Sequence, residues 1–222
     1  MTTQTNASER AIAVTTHGRY LVAPSQKTPA PLLVGFHGYA ESAEIQMARL
    51  QAISGSGAWT SIAIQGLHRF YERRSNTVVA SWMTRQDREL AIADNVAYVN
   101  GVVDGEWTAC AGARGVVYAG FSQGVAMAFR AAVRSSRLVL GVIAAGGDVP
   151  PEIDREALEG LGHVLLCHGA EDKWYTEAKF EQDQARVRDA GLALTARDFA
   201  GGHEWSAAVL EAAARFLQDR IR

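Results

Sequence analysis

The chain has 222 residues, 48% hydrophobic and 21% charged, with 22 basic and 24 acidic side chains and a formal net charge of −2. That balance suits one domain with a sizeable buried core and gives no global pull toward nucleic acid or anionic lipid. No apolar run approaches the ~20 residues needed to span a bilayer. Two cysteines, Cys110 and Cys167, are too few for a disulfide framework and lack zinc-finger spacing. Cys167 lies in an apolar run and reads as a buried thiol. Met1 to Arg10 are polar, so no secretory signal is visible. The expectation is a single domain over residues 1–222, with residues 1–10 flexible, located in the cytoplasm.

Short β-prone runs alternate with longer helical patterns, which predicts an α/β fold with a mostly parallel central sheet and helices on both faces. Ala11 to Thr16 and Arg19 to Ala23 flank His17-Gly18 and read as an opening antiparallel hairpin. Leu32 to Phe36 reads as a strand, followed by His37-Gly38-Tyr39 and a helix from about Ser42 to Ile53. Ser42 is placed to cap that helix through its hydroxyl, with Glu41 and Glu44 near its positive end. Trp59 to Ile64 is the next strand. Residues 66 to 84 have weak periodicity and read as a long loop, which serves either as a lid or as a contact in a homodimer. Asp87 to Val103 reads as a helix whose buried face carries Leu90, Ala93, Ala97 and Asn100/Gly101. Further strands are expected at Val116 to Tyr118, Leu138 to Ala144, Val164 to Cys167 and Leu192 to Phe199. Helices are expected at Val125 to Ser135, Glu177 to Ala190 and about Ser206 to Ile221.

Gly120-Phe121-Ser122-Gln123-Gly124 fits G-x-S-x-G, a tight strand-to-helix turn that exposes a serine nucleophile. The glycines remove Cβ atoms where strand and helix pass closely. A serine hydroxyl needs an adjacent base, and the base needs a carboxylate to fix its tautomer. Ser122, Asp172 and His203 occur in the required chain order, each just past a predicted strand, where open α/β sheets place their sites. Glu171 and Asp148 are rivals for the acid. His37 and His168 precede glycines at strand ends and read as structural loop holders. Oxyanion donors are expected from the backbone N–H groups of Gln123 and Tyr39. Trp82, Phe121, Trp174 and Trp205, with Tyr39 and Tyr175, suggest an apolar pocket around the serine. Arg69, Arg73 and Arg74 read as a solvated loop face.

Phe36-His37-Gly38, the Ser122 pentapeptide, His168-Gly169-x-x-Asp172 and Gly202-His203-Glu204-Trp205 together resemble the phospholipase/carboxylesterase family of α/β-hydrolases, which includes the acyl-protein thioesterases. The resemblance runs from about residue 30 to the C-terminus. It implies an α/β-hydrolase fold with no large cap domain, acting on carboxylic esters or thioesters with no cofactor and no metal. It also implies Ser122 as nucleophile, Asp172 as orienting acid, His203 as base, and Tyr39 and Gln123 as oxyanion donors. The chain departs from the family pattern at Val125, at Lys173-Trp174 and at Tyr39-Ala40-Glu41, all near the substrate, so these positions bear on acyl-chain preference.

The leading expectation is therefore a serine hydrolase working through an acyl-enzyme on a small-molecule ester or thioester. Activity should rise with pH as His203 loses its proton. Lactone, dienelactone or carbon–carbon bond hydrolysis and perhydrolysis on the same three residues are alternatives, since function resides in the pocket. A non-catalytic small-molecule receptor is another, as is a metal enzyme built on His37, His168 and His203, although these histidines show no close ligand spacing.

Overall fold

The computed structural model describes residues 7–221 apart from 56 and 112; most of the expected flexible segment, residues 1–6, lies outside the described residues. In chain order the elements are β1 (Arg19–Ala23), β2 (Leu32–Phe36), α1 (Ala43–Ser54), β3 (Thr60–Gln65), β4 (His68–Tyr71), β5 (Val78–Ser81) and α2 (Arg88–Ala109). They continue with β6 (Val116–Phe121), α3 (Gln123–Val133), β7 (Val139–Ala145), α4 (Arg155–Leu158), β8 (His163–Gly169), α5 (Glu177–Asp189), β9 (Ala193–Phe199) and α6 (Ala207–Gln218). Seven strands form one sheet in the order β1-β3-β2-β6-β7-β8-β9. All neighbours in it are parallel except β1, which runs antiparallel to β3.

The central strands are buried on both faces, which is why they read as continuous apolar runs. Side-chain alternation sorts each strand between two cores. Leu32, Val34 and Phe36 of β2, with Val116 and Tyr118 of β6 and Val164 and Leu166 of β8, pack under α2, α3 and α5. Leu33, Val117, Ala119, Leu165 and Cys167 face the other way, against α1 and α6. Cys167 is fully buried, as expected, and burial raises its thiol pKa to about 12.

Several details differ from the sequence reading. The antiparallel strand at the start of the chain is present as β1, but its partner is β3, and Ala11–Thr16 forms no strand. Ile12 and Val14 stay exposed, packed on nothing. Ser42 sits at the start of α1 without a side-chain cap; the Ala43 N–H instead donates to Gln65 Oε1 at 2.9 Å. The short helix α4 was not anticipated. The helix α2 runs six residues further than expected, to Ala109, and buries Ile92, Val96, Val99 and Val103 rather than Leu90, Ala93 and Ala97. Larger side chains bury more apolar area than alanine, so the helix turns its valines inward.

Residues 66–84 are not a featureless loop. They form the hairpin β4–β5, with Tyr71 paired to Val78 and His68 to Ser81. Its pattern is weak because β4 is largely exposed while β5 is largely buried. Trp82, which follows β5, is the largest fully buried side chain. Its ring packs on Phe36 and His37, and its Nε1–H donates to the His37 carbonyl at 2.8 Å. Trp82 is thus a core anchor rather than a pocket residue. Trp82→Ala should cost about 3–5 kcal/mol, the range for deleting a buried aromatic, and a urea-unfolding midpoint measures this directly.

Candidate active site

β6 ends at Phe121, and α3 begins at Gln123, so one residue makes the turn between the sheet and the helix. That residue is Ser122, with φ 52° and ψ −120°. A non-glycine side chain at positive φ is strained and persists only where the surroundings over-determine it. Here they do. The Ser122 N–H donates to the Ala145 carbonyl at 3.0 Å, and the Val125 N–H donates to the Ser122 carbonyl at 3.0 Å. A Cβ on Gly120 would lie 2.5 Å from the Gly124 carbonyl oxygen, and one on Gly124 would fall on the carbonyl oxygen of Phe36. Val125 fits because Gly147 faces it: a Cβ there would lie 2.8 Å from the valine Cβ.

The loops after β8 and β9 meet through backbone. A Cβ on Gly169 would collide with the Gly202 carbonyl, and the Glu171 N–H donates to the Gly201 carbonyl at 2.8 Å. This contact brings Asp172 and His203 together. His203 Nδ1 lies 2.7 Å from Asp172 Oδ2, and His203 Nε2 lies 2.8 Å from Ser122 Oγ. The other carboxylate oxygen of Asp172 accepts the N–H groups of Trp174 (2.8 Å) and Tyr175 (3.0 Å). Burial pushes the Asp172 pKa up, but the His203 contact and the two backbone donors outweigh it, leaving it below the usual carboxylate range. Asp172 therefore stays ionised at neutral pH. Gly146 borders the pair at φ 63°, a backbone conformation that favours glycine.

The rivals for the acid are elsewhere: Glu171 is exposed, and Asp148 lies 3.5 Å from Lys179. His37 is fully buried; its Nε2 accepts from the Gly66 N–H at 3.0 Å and its Nδ1 lies 2.7 Å from the Gly38 carbonyl. His168 is buried too, stacked on Phe180 with Nδ1 2.9 Å from Asp198. Among the described residues, no three His, Cys, Asp or Glu side chains gather as a metal site.

Tyr39 and Gln123 flank Ser122. Their backbone N–H groups donate to no protein acceptor among the described residues. The Tyr39 loop is held from two sides. Ala40, at φ 56°, and Glu41 exchange backbone hydrogen bonds with Ala80 of β5. Glu41 accepts the Gly38 N–H at 2.7 Å and forms a two-pronged ion pair with Arg49 (2.6 and 2.7 Å). The Arg49 guanidinium lies 4.4 Å from the centre of the Phe121 ring. The Gln123 side chain ties the hairpin to the turn: its Oε1 accepts from Trp82 N–H (2.9 Å), and its Nε2 donates to the Met83 carbonyl (3.1 Å). Sequence reasoning missed both devices, because each joins residues far apart in the chain.

A cleft of about 380 Å³ opens over Ser122, lined by Gly38, Tyr39, Glu41, Phe121, Trp174 and His203. Of the expected pocket residues, Phe121 and Trp174 are on it, while Trp205 packs edge-on behind Phe121. Tyr175 is buried, with its O–H donating to Asp183 at 3.1 Å. Arg69, Arg73 and Arg74 lie on the exposed hairpin face, away from the cleft.

The description of a family of phospholipases and carboxylesterases matches residues 17–221. The chain belongs to the phospholipase/carboxylesterase family. Membership makes it an α/β-hydrolase of the phospholipase and carboxylesterase type. Solved structures share its fold. A Bacillus cereus carboxylesterase superposes with TM-score 0.74 at 15% identity, over 91% of this chain and 94% of that one. An acyl-protein thioesterase 2 from Zea mays gives TM-score 0.72 at 15% identity, over 93% and 100%. Esterase PE8 gives 0.69 at 23% identity, over 91% and 97%. No curated protein matches the chain significantly in sequence. Among the described residues no helix of this family member is long and apolar enough to cross a membrane.

One titratable group beneath the site gives a pH test. Burial raises the Asp183 pKa to about 6, against the lowering effect of the Val149 and Tyr175 hydrogen bonds and nearby Arg186. Between about pH 4 and that value the folded protein holds a proton the unfolded chain has released, so this group makes stability fall as pH rises. Asp183→Asn should flatten that slope in urea midpoints taken across the range, and an unchanged slope would assign it to other groups.

Proposed function

We propose that the protein is a serine hydrolase that cleaves carboxylic esters or thioesters through an acyl-enzyme. The observation that carries this reading is the unbroken hydrogen-bonded line from Ser122 Oγ through His203 to the ionised Asp172. His203 Nε2 takes the Ser122 proton as Oγ attacks the substrate carbonyl carbon. The negative oxygen of the tetrahedral intermediate is received by the Tyr39 and Gln123 N–H groups, with the positive end of α3 adding to the field. Collapse breaks the bond to the leaving alcohol or thiol, which departs with the proton held on His203. Water then attacks the acyl-serine with His203 again as base, releasing the acid and restoring Ser122. Asp172 keeps the imidazole tautomer and orientation and offsets its transient positive charge. No cofactor is required by this chemistry. Tyr39, Phe121 and Trp174 give the substrate an apolar wall beside the serine.

We infer further that it acts on small-molecule substrates as a single domain of residues 1–222, located in the cytoplasm and without a nucleic-acid partner. Intact mass spectrometry after fluorophosphonate treatment tests the reading. Wild type should gain one adduct and Ser122→Ala none; a folded wild type that stays unlabelled would overturn it. Asp172→Asn should retain the fold and lower kcat about 10⁴-fold, the scale set by loss of the orienting carboxylate, in a steady-state assay with an activated ester.

A further inference from the structure

A second cleft, of about 270 Å³, shares Ser122, Trp174 and His203 with the first but differs in chemistry. Arg88, Arg130 and Lys179 line it, and Asp148 is the one carboxylate on its wall among the described residues. These cations come from α2, α3 and α5, so only the folded chain gathers them. Arg130 is fully buried, and both its Nε and its Nη2 donate to the same oxygen of Glu152, at 2.8 and 2.5 Å. Its Nη1 is left with Met83 Sδ at 3.6 Å, a weak acceptor. Arg88 lies close enough for its charge to repel that of Arg130. The ion pair of Arg88 is with neighbouring Glu89, which is largely exposed and so holds it weakly. Lys179, half exposed, donates to the Trp174 carbonyl at 3.1 Å, and its ion pair with the exposed Asp148 is loose at 3.5 Å.

A serine hydrolase has two substrate limbs to place, and the two clefts meet at the serine. We propose that the second cleft holds a carboxylate, so that the preferred substrate is an ester or thioester with an acid group on one limb and an apolar group on the other. This rests on the serine-hydrolase reading above. The apolar limb lies along Tyr39, Phe121 and Trp174, and the acid faces Arg88, Lys179 and the spare Arg130 nitrogen. Glu89 and Glu152 stand behind the arginines, so the wall is rich in N–H donors more than in net charge. That suits a singly charged carboxylate over a phosphate dianion.

The test compares kcat/KM within two pairs of esters: 4-nitrophenyl butyrate and its hemiglutarate counterpart with an acid on the acyl limb, and phenyl butyrate and 3-butyryloxybenzoate with an acid on the leaving limb. One of the two acidic esters should exceed its neutral counterpart by about tenfold or more, the worth of a charge-assisted hydrogen bond or two. That ratio should fall about tenfold in Arg88→Ala and in Lys179→Met, recover partly in Arg88→Lys, and shrink with added salt. Both positions are at the surface, so the variants should fold. Arg215→Ala, on the exposed face of α6, should leave the ratio unchanged. Turnover of butyrate with no preference for either acid, or the same ratio in every variant, overturns the proposal and leaves the esterase reading standing. No turnover of any ester, with no fluorophosphonate adduct, overturns the esterase reading and this proposal together.

Discussion

The structure depends on how closely backbone can approach backbone at the end of β6. Only glycine at 120, 124 and 147 leaves room for α3 to start one residue after the strand, with Ser122 held at φ 52° between them. A carbonyl oxygen of β2 occupies the place where a side chain on residue 124 would be, so the elbow is fitted against the neighbouring strand as well as its own helix. The cost of the strained serine is met by the two apolar cores that sandwich the sheet, since neither strand nor helix can shift without opening them.

From that point the site is assembled by loops pinned to one another. The β8 and β9 loops touch through glycine backbone, which fixes the separation of Asp172 and His203. The Tyr39 loop has no such partner of its own kind. It is braced by the β4–β5 hairpin on one side and by the Glu41–Arg49 pair on the other. The hairpin is in turn locked to the elbow by the Gln123 side chain and anchored in the core by Trp82. In the proposed mechanism Gln123 has two parts to play, with its side chain holding structure and its backbone N–H receiving the oxyanion. Preorganised donors cost no rearrangement when charge develops, which is the physical value of such bracing in an ester hydrolase.

The environment separates the carboxyl groups. Asp172 is buried yet stays charged because its oxygens accept from His203 and two backbone N–H groups. Asp183 accepts from the Val149 N–H and the Tyr175 O–H and lies 3.5 Å from Arg186, but there burial outweighs its partners. Tyr175 touches both, its backbone N–H on Asp172 and its O–H on Asp183, so the charged and the more easily protonated carboxyl are joined through one buried residue.

What the sequence alone determined is local in origin. The central strands were legible because burial on both faces demands unbroken apolar runs, and the elbow was legible because its glycines and serine are adjacent. The order of Ser122, Asp172 and His203 followed from where loops leave parallel strands. Tertiary packing decided the rest. Residues 66–84 carry their apolar signal in a few residues of β5 and in Trp82, too few to show a period, and only packing against Phe36 and His37 makes that tryptophan core. The buried face of α2 was misread because alanine spacing fits a helix as well as valine spacing does, and the sheet selects the larger side chains. Arg88, Arg130 and Lys179 lie on three separate helices, so no spacing in the chain announces the cleft they share. Interactions between distant residues are fixed by the packing of the whole chain, and a linear pattern records only those between near neighbours.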